Sequence, residues 1–333
     1  MKRILTGLQP SGTLHVGNYF GAIRPMVELQ EQGEMFLFLA DLHALTSTQD
    51  AAALRTYVRE AAIDLLACGI DPARTLFWRQ SDVPLHAELM WILSTVTPMG
   101  LMERMVAYKE KVQKGIPAGV GLFTYPILQA ADILLYRPQY VPVGEDQRQH
   151  LELTRDLAGR FNHRYKKTFR LPEPYILKET AKITDLQEPT AKMSKSSSSP
   201  GGIIELLDDP SVNAKKIRSA VTDSGTEIRF DPDQKPGVSN LLTIYSALTD
   251  RAVGDLEQEY DGRGYGALKQ DLADVVVEFV TPFRDRTLEL LEDQQALMDI
   301  LEAGRVEASA IAETTLRDVF QRVGFAAARP TGL

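Results

Sequence analysis

The sequence predicts an α/β protein, in which a doubly wound parallel sheet of the Rossmann type is followed by a second, smaller all-helical domain. In the first half of the chain, short apolar runs of strand length alternate with amphipathic stretches of helix length. Apolar runs without polar alternation are typical of strands buried on both faces, as in parallel sheets. After about residue 170 the composition changes, first to a Pro- and Ser-rich segment and then to a charged sequence with helical periodicity.

Four strands are predicted, at residues 3–6, 35–40, 76–79 and 140–143. Predicted helices cover residues 16–32, 51–68, 85–96, 101–112, 123–135 and 145–164. Pro25 predicts a kink or break in the first of these helices. Asp50 is expected to cap the second, and Gly69 to end it in the C′ position. Residues 171–189 are expected to be irregular, and residues from 239 onward helical.

These patterns place a domain boundary near residues 178–190. Residues 1–185 are predicted to form the Rossmann-like catalytic domain, within which residues 101–121 form a connecting segment. Residues 186–333 are predicted to hold a Ser/Gly-rich loop and the helical domain. Ligands of doubly wound sheets bind at the carboxyl ends of the strands, so the motifs at these ends are the candidates for the site.

Composition narrows the classes of function. The net charge of −8 does not indicate a nucleic-acid binder, so any RNA contact must use a local basic patch. Cys68 is the single cysteine, which excludes an internal disulfide and a multi-cysteine metal site. No apolar run reaches 18 residues, and the N-terminus lacks a secretory core. A cytoplasmic protein without membrane association is therefore expected.

The first motif is His15-Val16-Gly17-Asn18, at the point where the loop after the first strand becomes a helix. Gly17 lets a nucleotide approach the backbone, and free N–H groups at a helix N-terminus bind phosphate. The side chains of His15 and Asn18 can donate to phosphate oxygens. The alternative is a local helix-capping role.

The second motif is Lys192-Met193-Ser194-Lys195-Ser196, on the Ser/Gly-rich loop. Lysines on a mobile loop stabilise the negative charge that builds on phosphates in a transition state. The alternative is a solvated basic linker, which is the common meaning of short Lys/Ser runs.

Asp132 is the one charged residue in the apolar stretch AADILLY. A carboxylate there needs a partner or access to solvent. It either recognises a ligand, or it caps a helix or forms a salt bridge to a neighbour such as Arg137.

A third cluster, Gly144-Glu145-Asp146-Gln147, follows a strand and starts a helix. Gly144 permits close approach, Asp146 suits ribose hydroxyls, and Gln147 suits an amino or carboxylate group. Alternatively, Glu145 and Asp146 complement the helix dipole.

The first two motifs resemble the HIGH and KMSKS motifs of class I aminoacyl-tRNA synthetases. Over nearly its whole length the chain looks like the bacterial tryptophanyl-tRNA synthetases. The stretches that carry this resemblance are GLQPSG, ADLHALT, YKEK, LQAADILLY, VPVGEDQRQHLELTRDLAGRFN, KIRSAVTDS and KPGVSNLLTIYS. Residues 197–199 depart from it, because Asp-Pro is expected after the second motif.

The resemblance implies activation of tryptophan by ATP to tryptophanyl-adenylate and pyrophosphate, followed by transfer to tRNA(Trp). It implies catalytic roles for Lys192, Lys195, Lys111 and Gln9. The implied ATP-binding residues are Gln9, Pro10, Ser11, His15, Gly17, Asn18, Gly144, Glu145, Asp146, Ile183, Lys192, Met193, Ser194, Lys195 and Ser196. The implied tryptophan-binding residues are Asp132, Tyr125, Gln147, His43, Leu5, Val143 and Gln129.

In this reading Asp132 accepts the indole N–H, Tyr125 binds the α-amino group, and Leu5 and Val143 are pocket walls. Gln129 departs from the apolar residue expected beside the indole. His43 is equally compatible with a structural role, and Lys111 with an exposed helix lysine.

The implied partners are ATP with Mg²⁺, tryptophan, tRNA(Trp) and a second copy of the chain. Mg²⁺ is expected to arrive with ATP, so no dedicated metal site is predicted. Homodimerisation through residues 101–121 rests on the resemblance alone. The basic run from Arg160 to Arg170 is typical of a solvated face. The better candidates for contact with the acceptor stem and anticodon are the cluster Lys215, Lys216 and Arg218 and the charged C-terminal helices.

Three rival functions share parts of these patterns. A tyrosine-specific synthetase would have the same fold, but the end of the first strand offers no Tyr to pair with Asp132. A small nucleotidyltransferase uses a similar first motif but lacks the second motif and the helical domain. A catalytically inactive paralogue that senses tryptophan or RNA is opposed by the two motif lysines.

Overall fold

The computed structural model describes residues 2–10, 12, 14–105, 119–144, 147–176, 182–194 and 199–326. At its centre lies a five-stranded parallel sheet. The strands are β1 Arg3–Leu8, β2 Glu34–Leu39, β3 Thr75–Arg79, β4 Tyr140–Val143 and β5 Glu173–Ile176, in the order β3-β2-β1-β4-β5. The predicted fold class, a doubly wound parallel sheet with helices, is confirmed.

Strand order reverses beside β1, which pairs with β2 on one side and with β4 on the other. In doubly wound sheets such a switch point opens a crevice outside the carboxyl ends of the strands. The ends of β1 and β4 therefore define the expected binding edge. The first strand runs to Leu8, two residues further than predicted, so the turn that carries Gln9 and Pro10 starts directly at this edge.

The predicted single helix over residues 16–32 is instead three successive pieces. Helix α1, Val16–Asn18, passes into one π-helical turn, Tyr19–Ile23, and then into α2, Arg24–Leu29. Pro25 lies in the first turn of α2, where a missing N–H costs no helical hydrogen bond. The break therefore precedes the proline, at the wider π turn.

The other helices of the first half follow the predicted pattern with shifted ends, except the short α3, which was not predicted. They are α3 Asp41–Ala44, α4 Ala51–Ala67, α5 Leu85–Ser94, α6 Met99–Met102, α7 Val120–Tyr136 and α8 Arg148–Tyr165. Asp50 caps α4 by accepting a hydrogen bond from the Ala53 N–H, and Gly69 follows it with a φ of 105°. Of the predicted helix over 101–112, residues 106–112 lie outside the described residues.

The expectation that residues 171–189 are irregular throughout is wrong, because Glu173–Ile176 forms the edge strand β5. It pairs only with β4. Pro174 lacks a backbone donor and is tolerated at a sheet edge, where one side needs no ladder partner. The side chains of Glu173, Pro174 and Tyr175 are exposed, which explains why no buried apolar pattern marks this strand.

The second half of the chain is helical, as predicted. Its helices are α9 Pro210–Arg218, α10 Pro236–Thr249, α11 Val253–Tyr260, α12 Gly264–Glu292 and α13 Gln294–Val323. The last helix returns to the sheet and covers β3: a Cβ at Gly304 would lie 1.8 Å from the carbonyl oxygen of Phe77. Glycine at this position thus allows helix and strand backbones to touch. One buried cluster contains Ile4 and Phe77 of the sheet together with Leu241 and Leu301 of these helices.

Candidate active site

The loops at the carboxyl ends of the strands carry the polar residues of the site. Gln9 and Pro10 follow β1, and Gly144 follows β4. His43 lies in α3, directly after β2, and Gln80 comes immediately after β3. These ends meet at one edge of a parallel sheet, as the switch-point rule requires.

A buried carboxylate lies at the centre of this edge. Asp132, in α7, is 1% exposed. Its Oδ1 lies 2.8 Å from Gln80 Nε2 and 2.7 Å from His86 Nδ1. Its Oδ2 lies 2.8 Å from His43 Nε2. The alternative of a salt bridge to Arg137 is wrong, since that guanidinium pairs with Asp318 at 2.6 Å.

The orientation of the Gln80 amide follows from its second partner. Its Oε1 accepts a hydrogen bond from the Leu42 N–H at 3.2 Å, so Nε2 must face and donate to Asp132. Leu42 precedes His43 in α3. Helix α3, which carries the carboxylate partner His43, is thus hydrogen-bonded to a second partner, Gln80.

Asp132 is ionised in this environment. Burial acts first to raise the pKa of its carboxyl, but hydrogen bonds from His43 and His86, together with their electrostatic attraction, outweigh burial and lower the pKa from 3.8 to about 2. The three hydrogen bonds that this buried anion accepts offset the cost of removing its charge from water. It can still accept a further hydrogen bond from a ligand through a free lone pair.

The two predicted pocket walls, Leu5 and Val143, belong to the apolar core. Leu5 and Val143 are buried in the same apolar cluster as Phe38, and the ring of Phe38 approaches Gly7 so closely that a Cβ there would lie 2.6 Å from it. Gln129 is half-buried.

Tyr125 connects this region to α8. Its hydroxyl lies 2.6 Å from His150 Nε2, and its ring meets the edge of the His43 ring with 6.1 Å between centroids. Burial raises the pKa of the Tyr125 hydroxyl, which therefore stays protonated at neutral pH. Gln147, at the start of α8, is half-buried.

The first motif forms a reciprocal cap at the start of α1. His15 Nδ1 accepts a hydrogen bond from the Asn18 N–H at 3.3 Å, and the His15 N–H donates to Asn18 Oδ1 at the same distance. The capping alternative is therefore realised. The backbone N–H groups of Val16 and Asn18 already donate within the protein, so these two groups add no support to a phosphate role.

The second motif lies directly beside the first. Met193 is 2% exposed, and a Cβ at Gly17 would contact both the His15 ring, at 3.0 Å, and the Met193 Cβ, at 3.9 Å. Gly17 thus leaves room for the His15 ring, and Met193 of the second motif lies at an ordinary packing distance from the same position. Lys192 is exposed and its backbone forms an isolated bridge with Thr184.

The base of this loop is held on both sides. The Asn240 side chain exchanges two hydrogen bonds of 2.9 Å with the backbone of Thr184, next to buried Ile183. The Val16 N–H donates to the Ile204 carbonyl at 2.9 Å, beyond the loop. Ser194 is half-buried. The lysine-bearing loop is thus held by α10 on one side and by the start of α1 on the other.

Several predicted residues stand apart or lie outside the described residues. Gln9 is exposed and donates to the Ser47 hydroxyl at 3.1 Å, while Pro10 is buried. The predicted residues outside the described ones are Ser11, Lys111, Glu145, Asp146, Lys195 and Ser196.

The family description "tRNA synthetases class I (W and Y)" matches residues 1–281 of the chain. The chain belongs to this family. It is 56% identical over 330 residues to the "Tryptophan--tRNA ligase 2" of Streptomyces avermitilis, a match that covers 98% of both chains. It is 51% identical over 330 residues to the tryptophan–tRNA ligase of Corynebacterium glutamicum, covering 98% of this chain and 96% of that one.

A solved structure agrees along the whole chain. Tryptophanyl-tRNA synthetase from Campylobacter jejuni, complexed with ADP and tryptophan, is 42% identical with a TM-score of 0.86 and covers 97% of this chain and 100% of its own. Tyrosyl-tRNA synthetase from Aeropyrum pernix, at 23% identity and a TM-score of 0.65, shares the fold alone. The rival of a small nucleotidyltransferase is set aside, because the family match extends beyond both motifs.

Sequence reasoning missed two residues of this synthetase site, Gln80 and His86. They lie 52 and 46 positions from Asp132, so no local pattern links them to it. Gln80 could have been found, since it directly follows a predicted strand at its carboxyl end. His86 is fully buried in α5 and carried no comparable signal.

Proposed function

We propose that this chain is a tryptophan–tRNA ligase, which activates tryptophan with ATP and joins it to tRNA(Trp). The observation that carries the proposal is the identity of 56% and 51% to tryptophan–tRNA ligases over almost the full length of each chain. The buried anion at Asp132 supports it, because an ionised carboxylate suits the single N–H donor of an indole ring.

The proposed first step is attack of the tryptophan carboxylate on the α-phosphorus of ATP. One P–O bond forms, the bond to the β-phosphate breaks, and pyrophosphate leaves; the product is tryptophanyl-adenylate. No side chain need act as a nucleophile, so positioning and electrostatics supply the catalysis. Mg²⁺ enters as part of the MgATP substrate.

In this proposal the loop lysines, Lys192 and Lys195, stabilise the negative charge of the leaving pyrophosphate. The position of Met193 near Gly17 supports the role, because it places the loop beside the first motif. Gln9 and Lys111 complete the proposed catalytic set. The remaining ATP and tryptophan contacts keep the assignments that the family resemblance implies.

The second step is attack of a hydroxyl of the terminal ribose of tRNA(Trp) on the carbonyl carbon of the adenylate, which releases AMP. Among the RNA candidates, Lys215 and Arg218 are exposed. Lys216 turns inward instead, and its ammonium group donates to the Ile203 carbonyl and the Asp208 carboxylate at 2.9 and 2.6 Å. The basic residues from Arg160 to Arg170 are exposed.

A homodimer is part of the proposal. Large apolar side chains are exposed on the helices that flank residues 101–121: Trp91 at 72%, Met99 at 63% and Val120 at 78%. Exposed apolar groups of this size are typical of protein interfaces. Light scattering of the unchanged chain should give twice the chain mass, and Trp91→Glu should shift it toward one chain mass; a monomer in both would contradict the dimer.

We also propose a cytoplasmic location, where tRNA is charged. No helix in the described parts of the chain combines the length and apolar character needed to cross a membrane.

The test of the proposed activity is exchange of labelled pyrophosphate into ATP, run with each of the twenty amino acids and Mg²⁺. Exchange that depends on tryptophan alone is expected. Exchange with tyrosine would retain the chemistry and overturn the substrate. Absence of exchange with every amino acid would support the inactive sensor instead.

A further inference from the structure

The two oxygens of the Asp132 carboxylate have different surroundings. Oδ1 contacts Gln80 and His86, whose side chains are fully buried. Oδ2 contacts His43, whose side chain is 13% exposed. Oδ1 is therefore bonded to buried side chains only, while Oδ2 lies toward the accessible side of the site.

The proton positions on the interior side follow from the chemistry of the groups. An ionised carboxylate only accepts, so His86 Nδ1 carries a proton and donates to Oδ1. With a proton on Nδ1, the other ring nitrogen, Nε2, faces the Tyr136 hydroxyl at 3.0 Å and can accept a hydrogen bond from it. Tyr136, His86 and Asp132 thus form a continuous hydrogen-bonded chain that ends at the carboxylate.

The far end of this chain is rigid. Tyr136 is fully buried, and its ring packs between Trp78 and Phe36 with centroids 4.9 and 5.8 Å away. Burial, followed by the nearby charge of Asp132, raises the pKa of the Tyr136 hydroxyl, which therefore keeps the proton that it donates. Tyr136 is one helical turn after Asp132 in α7, so a single helix fixes both ends of the chain.

We infer that His86 and Tyr136 are positioning residues for the choice of amino acid. They hold Oδ1 inward, and this leaves Oδ2 directed at the pocket to accept the N–H of an indole ring. The inference rests on the proposed function. In this arrangement His43 is the exchangeable donor, which shares Oδ2 with the ligand or yields it.

Loss of the Tyr136 hydroxyl has a defined consequence. His86 Nε2 would be a buried acceptor without a donor, and the hydrogen bond that fixes the orientation of the His86 ring would be lost. The ring would then hold Oδ1 less firmly, and Gln80 would be the remaining fixed donor to that oxygen. Recognition of an indole N–H is then weakened, whereas binding of an analogue without an N–H is not.

The test is pyrophosphate exchange by Tyr136→Phe with two substrates, tryptophan and 3-benzothienylalanine, in which sulfur replaces the indole N–H. The kcat/KM for tryptophan is expected to fall about tenfold, the scale of one hydrogen bond to a charged group. The value for 3-benzothienylalanine should stay within about twofold. The loss should appear in KM rather than in kcat, because the indole lies away from the reacting atoms.

Matched variants separate positioning from general damage to the fold. Tyr260→Phe removes another buried tyrosine hydroxyl, which donates to Asp271 at 2.8 Å in the helical part, and should leave both substrates unchanged. His86→Asn keeps an N–H near the Nδ1 position and should retain more of the preference for tryptophan than His86→Leu.

The outcomes distinguish a failure of the positioning role from a failure of the proposed function. An unchanged substrate ratio in Tyr136→Phe, or an equal loss for both substrates, would overturn the positioning role while the proposed function stands. Absence of tryptophan-dependent exchange in the unchanged chain would overturn the proposed function, and the inference with it.

Discussion

Replacing Asp132 by Asn tests the recognition of the indole ring by an anion. The side chain keeps its size, but one carboxylate oxygen becomes an NH₂ group. Two donors, from Gln80 and His86, converge on Oδ1, so the amide oxygen takes that position. The NH₂ group then occupies the Oδ2 position, where His43 can accept from it by changing its tautomer.

The protein thus keeps its internal hydrogen bonds in Asp132→Asn, while an incoming indole N–H meets another donor. A hydrogen bond to a charged group contributes about 1.5–3 kcal/mol. This corresponds to a loss of about 10- to 100-fold in kcat/KM for tryptophan, since about 1.4 kcal/mol is tenfold. Phenylalanine has no N–H, so its kcat/KM should change little, and the preference for tryptophan should fall by the same factor.

Pyrophosphate exchange with tryptophan and with phenylalanine measures this preference, and a thermal melt confirms that the variant is folded. A folded Asp132→Asn protein with an unchanged preference would mean that the carboxylate does not recognise the indole N–H and is a purely structural group.

Three further predictions concern the loop, acid stability and helix docking. Lys195→Ala should slow adenylate formation about 10²–10³-fold while tryptophan binding, followed by fluorescence, changes little; equal losses in both would contradict a role on the transition state. The pKa of Asp132 is lowered in the folded state, so its stabilisation is present above pH 4 and lost as the pH falls toward about 2. Urea unfolding at pH 5 and pH 2.5 should therefore show a loss of about 2 kcal/mol in the original chain that Asp132→Asn lacks; parallel losses would contradict the lowered pKa. Gly304→Ala should lower the free energy of unfolding by about 1–3 kcal/mol, because its Cβ would clash with the strand backbone. Gly266→Ala, with open space around its Cβ, should instead be neutral or stabilising, and equal stability of these two variants would contradict the docking of α13.

The strands that could be predicted are those whose burial leaves a mark in the sequence. The run over Glu34–Leu39 is almost wholly buried, and its apolar residues reveal it. The strand Glu173–Ile176 pairs with one neighbour only and contains Pro174, so neither apolar continuity nor β propensity indicates it. This segment forms a strand because it pairs with β4 at the edge of the sheet, a position that exists only in the assembled fold.

The candidate site divides in the same way. Asp132 could be found because a single charge in an apolar helix must have a partner. His43 and Gln80 each follow a predicted strand, but their pairing with Asp132, and that of His86, could not be predicted. These side chains reach the carboxylate from other elements across 46 to 89 positions of sequence. The first motif is readable because capping is local: His15 and Asn18 are three residues apart.

The central claim is that this chain charges tRNA(Trp) with tryptophan. The most direct test is to incubate the purified protein with labelled tryptophan, MgATP and either tRNA(Trp) or tRNA(Tyr), and to measure acid-precipitable label. Label is expected on tRNA(Trp) only, and none when tryptophan is replaced by labelled tyrosine. Charging of tRNA(Tyr) with tyrosine, or no charging of either RNA by a protein that binds tryptophan, would contradict it.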